Sequence, residues 1–194
     1  MMCGKLPSSN AFHFFKVLLI VIFTCASSNS FSQLNWREGD LIFRTGTETV
    51  SDLVMLADDS GYSHVGMLIG APGSWKVLHA TPEEIPGYGN KVVLDKLEFF
   101  IAPERSQRYQ VFQVHATPEQ RNNAIKWAMT QLGQPFTMLD PEGVYCTTLV
   151  WKAWLQAGVD LQVSFAQINL PLLPHGKFLL PSGLIHSPLV SIAP

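Results

Sequence analysis

The chain predicts an α+β domain, and three observations predict it. It has 194 residues, 47% of them apolar and 14% charged, which suits one domain with a sizeable core and not a disordered chain. Short strand-like runs gather between residues 41 and 114, whereas the two clearest helical repeats follow, at 117–133 and 146–158. Strands and helices are therefore segregated rather than strictly alternating, as in α+β domains.

The amino-terminal segment reads as a secretory signal over residues 1–30, leaving residues 31–194 as the domain. Lys5 and Lys16 flank a short apolar run at 17–25 (VLLIVIFTC), and small polar residues Ala26-Ser27-Ser28-Asn29-Ser30 follow. That run is shorter than the roughly 20 apolar residues of a stable span, so no membrane span is expected once the signal is removed. The expectation is export, to a periplasm or the extracellular space; an uncleaved anchor is the alternative.

Gly39-Asp40 leads as a turn into the strand Leu41-Ile42-Phe43. Val50, Leu53, Val54 and Ala57 then fall at helical spacing. Residues 62–70 (YSHVGMLIG) and 75–80 (WKVLHA) read as the arms of a hairpin around Ala71-Pro72-Gly73-Ser74. A Pro- and Gly-bearing loop at 81–90 precedes a strand beginning at Lys91, and residues 109–114 (YQVFQV) form another. Thr117-Pro118-Glu119-Gln120 supplies an N-cap, a first-turn proline and a capping-box Gln for a helix whose stripe is Ala124, Trp127, Ala128 and Leu132. Gly133 stops it. Leu149, Val150, Ala153, Trp154 and Ala157 mark a second helix starting near Cys146, and the Pro-rich tail from Leu170 is expected to be extended.

The net charge of -2 and the lack of a basic run leave no footprint for nucleic acid. The three cysteines are Cys3, Cys25 and Cys146. Removal of the signal would leave Cys146 alone, unable to form an internal disulfide. It would then be a reactive thiol, half of an intermolecular bridge, or a small buried apolar side chain.

Cys146 stands at the start of a predicted helix, where backbone N–H groups favour a thiolate and can bind the oxyanion of an attacked carbonyl. Its thiol is accordingly expected to ionise below the ordinary value. A nucleophilic Cys needs a base and a group that orients the base. His64 and His79 lie on neighbouring predicted strands, where the hairpin can bring both rings onto one face. Each alone is equally compatible with a core or rim histidine. His115, His175 and His186 sit at loops or beside Pro, where solvent-facing roles are the default. Among the six histidines there is no His-Glu-x-x-His helix, and no paired cysteines accompany them, so neither a metal nor a cofactor is expected.

Three blocks in this order, Gly39-Asp40-Leu41-Ile42-Phe43, then residues 62–70, then Val77-Leu78-His79-Ala80, resemble NlpC-type cysteine peptidases. In that family the Cys precedes these blocks. Here Tyr145-Cys146-Thr147-Thr148-Leu149-Val150 follows them, which resembles the circularly permuted, YiiX/YebB-like branch of papain-fold hydrolases. The resemblance covers about residues 39–158 and implies a permuted papain-like (NlpC-type) fold, with an antiparallel sheet or small barrel packed against helices. It implies Cys146 as nucleophile, His64 as base and His79 as the third polar residue, a place that is acidic in some permuted members. Tyr62 and Tyr145 are candidates for lining the substrate pocket, and Asp40 looks structural.

The expected activity is therefore hydrolysis of an amide through a Cys146 thioester, as an amidase or peptidase acting on a small amide, a peptide such as a cell-wall stem peptide, or a lipid amide. Two alternatives stand beside it. One is lipid amidase or acyltransferase chemistry of the lecithin:retinol acyltransferase type, favoured by an apolar groove near Tyr62 and Tyr145. The other is a papain-like module that binds a ligand without catalysis.

Overall fold

The structure, a computed structural model, describes residues 35–138, 140, 143–168 and 176–194. The expected signal at 1–30 and His175 lie outside the described residues.

The elements run β1 (Leu41–Gly46), α1 (Thr49–Ala57), β2 (His64–Ile69), β3 (Lys76–Thr81), β4 (Lys91–Lys96), α2 (Leu97–Phe100), β5 (Ser106–Val114), α3 (Pro118–Thr130), α4 (Cys146–Gln156), β6 (Ala166–Ile168), β7 (Gly176–Phe178), α5 (Pro181–Ile185) and β8 (Val190–Ile192). Six strands form one antiparallel sheet in the order β4-β3-β2-β1-β5-β8, and β6 pairs with β7 in a separate hairpin. The α+β expectation holds, with a sheet as its β component. No helix among the described residues is long and apolar enough to cross a membrane.

All six residues of β1 are buried, which explains why it opens on the unbroken apolar run Leu41-Ile42-Phe43 rather than an alternation. Leu41, Phe43, Val65, Met67, Leu78, Ala80 and Val92 face α3 and α4, meeting Ala124, Ala128, Leu149, Val150, Ala153 and Trp154. Ile42, Leu68, Val77 and Val111 point the other way and pack with Leu97, Phe100 and Ala193. Truncating one of these fully buried Leu or Ile side chains to Ala costs about 2–5 kcal/mol.

Local sequence sets the edges of this frame. Thr117 and Gln120 exchange the two capping-box bonds at the start of α3, with Pro118 in its first turn. Asp40 is fully buried and accepts from Arg37 N at 2.8 Å and Arg121 Nη1 at 2.7 Å, so the Gly-Asp turn ties β1 to α3. Gly39 there has φ +86, a conformation that suits glycine.

The tail departs from expectation, because Pro181–Ile185 is a helix and not extended. Pro181 opens its first turn, and Ser182 N donates to the Asp58 carboxylate at 3.1 Å. That partner comes from the far end of α1, 124 residues away, so no local pattern could reveal it. α2 is a single turn, too short for a periodic signal.

Candidate active site

Cys146 is the first residue of α4, and the residues around it are held by hydrogen bonds on both sides. Tyr145 N donates to Thr148 Oγ1 at 3.0 Å, Thr147 Oγ1 donates to Leu179 O at 2.6 Å, and Leu179 N donates to the Tyr145 hydroxyl at 3.0 Å. The helix start is thereby fixed against the segment leading into α5. Cys146 itself is half-buried and is the free cysteine among the described residues.

His64 opens β2 and lies opposite Arg44 of β1. Its Nε2 is 2.8 Å from Nδ1 of His79 on β3, with the two rings edge to face. His79 Nε2 lies 3.1 Å from Oδ2 of Asp95 on β4, and the Tyr88 hydroxyl donates to the other Asp95 oxygen. Both imidazoles rest against Phe100, with ring centroids 5.6 and 5.0 Å away. Gly66 makes the approach of the two histidines possible, because a Cβ there would run into Val77 and the Cβ of His79. The sequence expectation that His64 and His79 meet is met, and the third polar place has both a His and, behind it, an acid.

Beside the imidazoles lies a buried ion cluster. Arg44 Nη2 donates to Glu84 Oε1 at 2.7 Å and Glu48 Oε1 at 3.0 Å, and its Nη1 donates to Phe100 O at 2.9 Å. Arg105 pairs with the second oxygen of Glu84, and Thr81 donates to the first.

Cys146 belongs to the walls of two adjoining cavities. One has a mixed lining, with His64, Glu84, Glu48, Ser51 and Ser63 beside Val50, Val54, Pro82, Phe136 and Met138. The second is a cleft of about 580 Å³, counting its open mouth, and its walls are almost wholly apolar: Leu53, Val54, Ala57, Met138, Tyr145, Ile168, Phe178, Leu179 and Leu180.

The electrostatics correct one expectation. Burial pushes the Cys146 thiol up to about 11, outweighing the backbone N–H groups of Val65, Thr147 and Cys146 and the charge of Arg44, which all pull it down. The helix start acts in the expected direction, but desolvation of the thiolate is larger. Burial, then Arg44 and His79, hold His64 well below the ordinary imidazole value. His79 is lowered by burial against the opposing bond to Asp95. Burial acts to raise Asp95, but the bonds from His79 and Tyr88 prevail and hold its carboxyl below the ordinary value. These directions favour a neutral Cys146 thiol and a neutral His64 imidazole at neutral pH.

The remaining candidates separate. Tyr145 lines the apolar cleft. Tyr62 lines neither cavity; its ring packs against Phe43 and Phe112, with Arg108 above it at 4.6 Å, so it serves the core rather than the pocket. His115 is exposed and bonds Ser191 Oγ, and His186 is an exposed helix C-cap. Sequence reading missed Asp95, Tyr88, Arg44 and Glu84. Asp95 had a faint signal, since Val93 and Asp95 alternate on a strand that could pair with that of His79. Glu84 and Tyr88 lie in the loop at 82–90, where no periodicity points.

These features describe an α+β domain whose Cys-bearing helix follows the two strands that carry His64 and His79. The chain belongs to the permuted papain-like amidase family YaeF/YiiX, the C92 family, whose profile matches residues 35–171. The protein YiiX of Escherichia coli K12, described as uncharacterized, is 27% identical over 124 residues, or 61% of this chain and 57% of its own length. The chain thus spans a little over half of that curated relative. A crystal structure described as metalloprotein yiiX from Escherichia coli O157:H7 superposes with a TM-score of 0.68 at 22% identity, covering 81% of this chain and 96% of the other.

Proposed function

We propose that this family member is an exported amidase that cleaves amides of apolar acyl groups, with Cys146 as nucleophile and His64 as base. The observation that carries the reading is that Cys146 lines both an almost wholly apolar cleft and an adjoining cavity of mixed lining that contains His64, Glu48 and Glu84. The acyl chain occupies the cleft, and the amine lies in the adjoining cavity near Glu48, Ser51 and Glu84. A cell-wall stem peptide fits less well, because its charged groups would find no polar partner in that cleft. The apolar run at 17–25 with its small-residue flank supports export.

In the reaction, His64 Nδ1 takes the thiol proton as Sγ attacks the amide carbonyl. The N–H groups at the start of α4 stabilise the oxyanion. His64 then returns the proton to the leaving nitrogen, the C–N bond breaks and a thioester remains. Water, deprotonated by His64, attacks the thioester, and the carboxylic acid leaves as the thiol re-forms. Because both partners rest neutral, proton transfer accompanies attack rather than preceding it.

The description of yiiX as a metalloprotein raises a metal for this chain. His64, His79 and Glu84 offer ligand atoms within 4.8 Å of one another. Those atoms are already committed, the imidazoles to each other and Glu84 to Arg44, Arg105 and Thr81. A cation would have to break these bonds beside the Arg44 charge. The residues do not fit a resident metal, and no step uses one.

A series of N-acyl anilides from acetyl to decanoyl tests the proposal. Each methylene buried in the cleft is worth about 0.8 kcal/mol, so kcat/KM rises by about fourfold per carbon until the cleft is full. Mass spectrometry of acid-quenched enzyme should find the acyl group on Cys146. Equal turnover of acetyl and decanoyl substrates would rule out the apolar acyl site.

A further inference from the structure

We propose that Asp95 is a positioning residue that sets the tautomers of both active-site histidines, with Tyr88 holding Asp95 in place. The inference rests on the reading of His64 as the base. It starts from hydrogen-bond inventory. An ionised carboxylate only accepts, so the ring nitrogen facing it must carry the proton. Asp95 receives the Tyr88 hydroxyl on one oxygen and faces His79 Nε2 on the other. His79 Nε2 is therefore N–H.

A neutral imidazole has one N–H, so Nδ1 of His79 is an acceptor. The 2.8 Å contact with His64 Nε2 then has one possible direction: His64 Nε2 donates. His64 in turn has its lone pair on Nδ1, the nitrogen the mechanism requires to take the thiol proton. The chain crosses one strand at each step, from β4 to β3 to β2. With His64 and His79 6% and 1% exposed, little water is at hand to supply a substitute donor or acceptor.

The opposite polarity would put the proton on His64 Nδ1, the nitrogen that the proposed mechanism assigns to the thiol proton, and the base would be occupied. Asp95 thus decides, two hydrogen bonds away, whether His64 can act. Tyr88 is partly exposed on the loop at 82–90 and packs edge to face on Phe99. It fixes the outer end of the chain, so this loop contributes to the base without reaching the thiol.

Long-range nitrogen–proton spectra of the full chain labelled with ring-¹⁵N histidine test the proposal directly. His64 and His79 are assigned through the variants His64→Gln and His79→Gln. At neutral pH both rings of the wild type should be Nε2–H. In Asp95→Leu the other tautomer of His79 should become populated, with kcat down about 100-fold and KM within about threefold. Tyr88→Phe, at a partly exposed position, should lower kcat by several-fold and leave KM unchanged. A wild-type His64 with its proton on Nδ1 overturns the proposal, and this spectrum needs no variant of Asp95 to fold. So does an Asp95→Leu protein with unchanged tautomers and kcat. If the wild-type tautomers are as stated but no acyl amide is cleaved, the amidase reading falls while the tautomer assignment is upheld.

Discussion

Two buried arginine–carboxylate clusters lie at opposite ends of β1, and they do different work. At its start, Asp40 is enclosed by Arg121, Arg37 N and Val114 N, and lines neither cavity. At its end, Arg44 holds Glu48 and Glu84, and both carboxylates line the cavity that contains His64 and Cys146. Both are ion pairs removed from water, so neither is strong evidence of net stabilisation by itself. The difference is what stands next to them. Asp40 and Arg121 meet backbone groups, each other and the Trp154 ring, and none of these is a reactive titratable group, so their charge is spent inside the cluster. Arg44 acts on a thiol and two imidazoles and lowers the proton affinity of all three. A buried ion pair becomes part of a site when a titratable reactive group shares its low-dielectric surroundings.

The largest expected effect lies at the Arg44 end. His64→Ala should reduce kcat/KM by about 10³-fold, the loss of a general base, while the circular dichroism spectrum and Tm stay close to wild type. Activity within about tenfold of wild type would remove His64 from the base role. The Asp40 end should respond in the other currency. Arg121→Met leaves a buried carboxylate without its partner and should cost about 3–5 kcal/mol in urea unfolding, with kcat per folded molecule nearly unchanged. A large fall in kcat there would erase the distinction between the two clusters.

An intermediate effect belongs to β2, the strand beside β1 that carries His64. Gly66→Ala places a methyl against Val77 and the Cβ of His79. The displaced imidazole should lower kcat by about 10- to 100-fold, since small misplacements of reacting groups are costly. Overpacking adds about 1–3 kcal/mol of destabilisation. A variant with unchanged kcat would show that the His64–His79 contact is not needed for turnover.

How much of this could be read beforehand follows the same division. Asp40 was legible because a Gly-Asp turn before a strand is a local pattern. Cys146, His64 and His79 were legible because a helix start, a hairpin and an ordered set of blocks bring them together. Arg44, Glu84, Asp95 and Tyr88 were not, because their roles arise from register across strands and from a loop without periodicity. Tyr62 misled for the reverse reason. It neighbours His64 in sequence, but its ring turns to Phe43 and Phe112 in the core. The thiol misled in direction, because a helix start is visible in sequence and the desolvation around the thiol is not.

The smallest and most discriminating effect is in pH dependence. If Cys146 and His64 rested as a thiolate–imidazolium pair, alkylation and hydrolysis would share one acid limb, and iodoacetamide would react quickly at pH 6. The structure separates the two. Burial drives the thiol up to about 11, so the resting thiolate is scarce at neutral pH, and alkylation should be slow at pH 6 and climb steadily toward pH 11. Burial, with help from Arg44 and His79, drives His64 the other way. A lowered base keeps its neutral form to lower pH, so the acid limb of kcat/KM should fall below the ordinary imidazole value of about 6.5. Arg44→Met removes a positive charge that lowers both groups. It should therefore raise that acid limb and slow alkylation further at any fixed pH. Fast alkylation at pH 6 in the folded wild type, or an acid limb that moves downward in Arg44→Met, would replace the neutral resting pair with an ion pair.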